Sequence, residues 1–93
     1  MPPGAELSIQ VHYIEGKATQ ADPDVQQRLS DLMAGLGHLP GFLGADLLSS
    51  PAQPELVLLE SRWTGDVPAL DIPVGCKSWA FTVTESWTPP TQA

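Results

Sequence analysis

Between Leu39 and Trp63 the chain reads LPGFLGADLLSSPAQPELVLLESRW, and this stretch leaves the backbone few options. Pro40-Gly41 cannot extend a helix, because proline has no N–H and its ring crowds the preceding turn. Phe42 to Leu48 then reads as a strand, and Ser49-Ser50-Pro51-Ala52-Gln53-Pro54 as the loop after it. Leu56 to Trp63 is a second strand, long enough at roughly 3.3 Å per residue to cross a small domain. A helix, a Pro-Gly turn and two looped strands form the frame to which the rest of the chain must fit.

Upstream, Leu7 to Glu15 alternates. Leu7, Ile9, Val11 and Tyr13 make one plainly apolar face; Ser8, Gln10, His12 and Ile14 make a mixed one. Asp22-Pro23-Asp24 has the chemistry of a helix start: Asp22 to cap, Pro23 at the first helical position, Asp24 at the positive end of the dipole. Val25, Leu29, Leu32, Met33 and Leu36 follow as one apolar stripe, with Gln26, Gln27, Arg28, Ser30 and Asp31 on the wet side. Gly35 and Gly37 offer a left-handed stop.

Downstream, Thr64 to Lys77 holds Gly65, Pro68, Pro73 and Gly75, which exclude a long helix. Ser78 to Thr88 is a final strand, with Trp79, Phe81, Val83, Glu85 and Trp87 on one face. The order β-α-β-β-loop-β predicts an α+β fold, a ferredoxin-like antiparallel sheet with strands one and three in the middle and a reduced second helix. One helix covers one face of such a sheet. The other face, still rich in apolar residues, is expected to pair with a second copy.

Ninety-three residues suit one domain spanning 1–93, with the Pro-rich ends, 1–6 and 88–93, as flexible tails. Eleven acidic residues against four basic ones (Lys17, Arg28, Arg62, Lys77) give a net charge of −7. That balance disfavours nucleic acid and anionic membrane surfaces, both of which call for clustered Lys and Arg. A charged share of 16% beside a hydrophobic share of 42% again favours self-association. Cys76 is the only cysteine, so neither an internal disulfide nor a thiolate metal cluster is expected. The first residues lack a basic region and a long apolar run, so a signal peptide is not expected, and a soluble, cytoplasmic protein is.

Leu39-Pro40-Gly41-Phe42-Leu43-Gly44-Ala45-Asp46-Leu47-Leu48, the Ser/Pro loop and Val57 to Trp63 together resemble the antibiotic biosynthesis monooxygenase family. The Pro-Gly-Phe after the helix and the Trp closing the next strand carry the resemblance, which extends over Leu7 to Trp63. It implies a dimeric α+β barrel, two sheets facing each other around pockets. Some members oxidise polycyclic aromatic intermediates with molecular oxygen and neither metal nor flavin; relatives degrade haem, and others have no demonstrated chemistry. Thr64 to Lys77 departs from the family, which usually has a second amphipathic helix there, and no counterpart of a haem-ligating histidine is visible.

Within that frame His12 is the candidate base, taking a proton so that an electron-rich anion can meet oxygen. Gln10 and Arg62 are the candidate positioning groups. Trp63, Trp79, Phe42, Phe81 and Tyr13 are candidate walls for an aromatic or polyketide-type substrate. Each has a plainer role beside this one. His12 is also a strand histidine that is hydrogen-bonded or faces solvent, the aromatics are core or interface, and Arg62 is an ion-pair partner of Glu60 or Glu85. Asp46 is a second base or an edge-strand charge, and His38 a capping charge after the helix. The activity expected is that of a cofactor-independent monooxygenase. A polyketide cyclase or isomerase, and a non-catalytic ligand-binding or dimerisation module, are the alternatives. No metal or other cofactor is expected.

Overall fold

The computed structural model describes residues 8–90. Leu7, expected to open the first strand, and tail residues 1–6 and 91–93 lie outside them. The elements are β1 (Ile9–Lys17), α1 (Val25–Gly35), a 3₁₀ turn (Leu36–His38), β2 (Phe42–Ser50), β3 (Gln53–Thr64) and β4 (Lys77–Thr82). All strand pairings are antiparallel, in the order β2-β3-β1-β4. The chain is therefore α+β, with one helix, one four-stranded sheet, and β1 and β3 at its centre as the pattern requires. This arrangement is compatible with a ferredoxin-like fold.

The sheet's pleat decides what is buried. Ile14 from β1 and Val57, Leu59 and Trp63 from β3 share one face and meet Val25 and Leu29 of α1 and Leu36 of the following turn. Each side chain so buried contributes about 1.5–3 kcal/mol. It is the mixed face of β1, not the plainly apolar one, that lies under the helix. Gly16 makes the close crossing possible: a Cβ there would sit 2.5 Å from Val25 Cγ2.

Both ends of α1 differ from the sequence-based expectation. Asp24, not Asp22, takes the cap position, and it makes no side-chain capping bond. Asp22 is held back in a turn in which Thr19 and Asp22 exchange backbone bonds, and its carboxylate engages the Arg28 guanidinium instead. Arg28 is thus half-buried against the helix entrance. At the other end neither Gly35 nor Gly37 is left-handed. The helix tightens into the 3₁₀ turn, and the left-handed residue is Gly41, with φ of 84°. It is needed there because Thr64 N donates to Gly41 O at 2.8 Å, closing β2 onto β3 where a Cβ would strike Thr64 O.

Residues 65–76 contain no helix. They run as an irregular strap in which Val67, Leu70, Ile72 and Cys76 pack against the helix-side core. β4 is shorter than the expected Ser78–Thr88. Its last bond to β1 is Val83 N to Ile9 O at 2.9 Å, at the first residue of β1. No helix among the described residues is long and apolar enough to cross a membrane.

Candidate functional site

Strand alternation divides the expected site residues between the two faces of the sheet. Register places His12 opposite Ser61 and Ala80, and Gln10 opposite Trp63 and Thr82. These residues share the helix side with Phe42, the partner of Trp63 across β2 and β3. Val11 lies opposite Arg62 and Phe81, and Tyr13 opposite Glu60 and Trp79, all on the helix-free side. His12 and Arg62 are thus separated by the sheet and cannot act together on one small molecule bound to one face.

On the helix side the candidates are built into the packing. Trp63 is fully buried, donates from Nε1 to Ser61 Oγ at 2.8 Å, and meets Phe42 edge-on with centroids 5.3 Å apart. Gln10 Nε2 donates to Thr82 Oγ1 at 2.8 Å, tying β1 to β4. His12 is 8% exposed, and its Nδ1 has no hydrogen-bond partner within the protein. Burial pushes its pKa below the usual histidine value, so the imidazole is neutral at pH 7.

On the helix-free side the polar groups are joined. The Arg62 Nη1 donates to Glu60 Oε1 at 2.6 Å and to Asp46 Oδ2 at 3.1 Å. The Tyr13 hydroxyl donates to Glu60 Oε2 at 3.2 Å. Desolvation and the bond to Glu60 raise the Tyr13 pKa, while Arg62 pulls it the other way. Beside this network stand Phe81, whose ring meets Tyr13 edge-on at 5.8 Å, and Trp79. Phe81 is 54% and Trp79 43% exposed. Arg62 therefore pairs with Glu60 on its own strand and with Asp46 across β2, whereas Glu85 lies beyond the end of β4.

Gly44 was missed from sequence. A Cβ on it would come within 2.8 Å of Arg62 Nη2, so the guanidinium lies over the glycine. A glycine inside a strand pattern is the signal that could have found it. Cys76 is half-buried beside Gly16, and burial raises its thiol pKa against the opposing pull of Arg28, which fits a packing role. His38 is exposed at the end of the 3₁₀ turn. Among the described residues no group of three or more His, Cys, Asp or Glu side chains is placed to hold a metal ion. In comparisons with known proteins, the chain matches no family model, no curated protein and no solved structure.

Proposed function

We propose that the protein is a homodimer that closes the helix-free faces of two sheets around an aromatic small molecule, in the manner of a dimeric α+β barrel. The observation that carries this reading is the meeting of Tyr13, Trp79, Phe81 and Arg62 on one uncovered face. Flat rings supply stacking area, and a guanidinium lying between two carboxylates supplies directional donors without a large net charge. Leu48, Trp79 and Phe81 stand on this face as exposed large apolar side chains, the kind of surface that a partner covers.

Binding is the function for which this face is best equipped. A second reading, cofactor-independent oxygenation of an aromatic or polyketide-type substrate, follows the sequence resemblance. It is favoured by the Tyr13–Glu60 hydrogen bond, which puts a proton donor and acceptor beside the aromatic walls. In that reading Glu60 and Tyr13 handle the proton on this face. His12 stays behind the sheet, Trp63 and Phe42 serve the core, and Gln10 ties β1 to β4.

Light scattering combined with a fluorescence titration tests the proposal. The expected mass is that of two chains, and a naphthol- or anthrone-like aromatic should quench emission saturably. In a Trp87→Phe background, Trp79→Phe should remove that quenching, since the remaining Trp63 is buried on the far side of the sheet. A one-chain mass without saturable quenching would overturn the reading. Oxygen uptake with the bound aromatic separates the oxygenase from the binding protein.

A further inference from the structure

On the opposite side of the molecule the strap after β3 leaves a gap against α1. Ile72 N donates to Leu70 O at 3.0 Å, so the strap makes a three-residue turn with Asp71 at its apex. Between this turn and the C-terminal half of α1 lies a cleft of about 410 Å³. Its apolar lining is Leu32, Leu36, Leu39 and Leu70, and Asp31 and Asp71 supply its charge.

We propose that this cleft binds a small amphiphilic cation, a primary ammonium group on a short hydrocarbon or aromatic body. The volume lies in the range of small-molecule pockets. The charge that lines it is of one sign. Neither Asp31 nor Asp71 joins an ion pair among the described residues. Gln27 Nε2 donates to Asp31 Oδ1 at 2.9 Å, which holds that carboxylate in place and leaves its second oxygen free to accept. The net charge of −7 adds an attractive field for a cation and repels an anion of the same shape.

Gly35 offers a steric handle on the cleft. It lines the cleft in the last turn of α1, its φ of −91° is open to any residue, and a Cβ there would meet nothing within 4 Å. Neither backbone strain nor a steric clash calls for glycine, and alanine favours a helix more. Gly35 lines the cleft, so a large side chain placed there has room to occupy its opening.

The full chain titrated with n-hexylamine at pH 7, and followed by amide chemical shifts, tests the assignment. The amine is protonated at that pH, as a lysine side chain is. Saturable shifts are expected at Leu32, Gly35, Leu70 and Asp71, with hexanol and hexanoate binding more weakly. Gly35→Phe should fill the cleft and abolish the shifts without lowering the melting temperature. Asp31→Asn with Asp71→Asn, which keeps the shape, should weaken hexylamine about threefold to tenfold and leave hexanol unchanged. Three results would each overturn the proposal: no saturable shift at these residues, hexanol binding as tightly as hexylamine, or unchanged amine binding in Gly35→Phe.

Discussion

Arg62 lies across Gly44, with Nη2 only 2.8 Å from where a Cβ would stand. The glycine is what lets the guanidinium lie flat on β2 and reach Asp46 while holding Glu60. Gly44→Ala should therefore displace Arg62. Because the group that must move is the end of a flexible, partly exposed side chain, the stability cost should stay within about 1 kcal/mol. Gly41→Ala should cost more, about 1–3 kcal/mol, since the added methyl meets the backbone oxygen of Thr64 at a residue with positive φ. Urea denaturation of the two variants side by side checks the order. Equal losses would show that Arg62 is not seated on Gly44.

Ser61 and Trp63 form a buried pair two residues apart on β3, with the indole N–H donating to the hydroxyl. Ser61→Ala leaves that donor buried without an acceptor and should cost about 1–3 kcal/mol. In a Trp63→Phe background there is no donor to strand, so the same change should cost much less. A double-mutant cycle by chemical denaturation measures the difference, and additive losses would remove the hydrogen bond from the account.

Strand order and the apolar stripe of α1 were legible because both follow from periodicity and punctuation. Period-two alternation placed β1, spacing of three and four placed Val25 to Leu36, and Pro40-Gly41 marked the reversal. The helix ends were not legible. Whether Asp22 caps α1 or pairs with Arg28 depends on the Thr19–Asp22 turn, and the left-handed residue is fixed by where β2 meets β3. The end of β4 depended on how far β1 extends beside it. The candidate site was half legible. Alternation already required His12 and Arg62 to be assigned to faces, but only the β1–β3 register shows that those faces are opposite.

His12 carries a pH dependence that can be worked out in sign. Its pKa in the folded chain lies below the unfolded value near 6.5, because burial disfavours the imidazolium. Well above pH 6.5 both states are neutral there and the residue contributes no slope. As pH falls below 6.5 the unfolded chain takes up the proton first, so stability is lost until the folded pKa is also passed. His12→Leu should remove this component and, having no unpartnered Nδ1 to bury, should hold stability at pH 7.5. Urea midpoints at pH 7.5 and 5.5 for both proteins give the comparison. Parallel acid losses would assign the effect to other groups.

Phe81 gives the sharpest test of self-association through the sheet. Its ring is more than half exposed and its aromatic contact within the chain is the edge-on meeting with Tyr13. Phe81→Lys should therefore cost the isolated fold only about 1 kcal/mol. If two sheets meet on this face, the same change places two ammonium groups in an apolar contact, where burying an unpaired charge is expensive. The dimer should then dissociate at micromolar concentration while the melting temperature at high dilution barely moves. Light scattering reads the first quantity and thermal unfolding over a concentration series reads the second. A variant that remains dimeric would place the contact elsewhere on the molecule, and the aromatic face would then be open to solvent or to another partner.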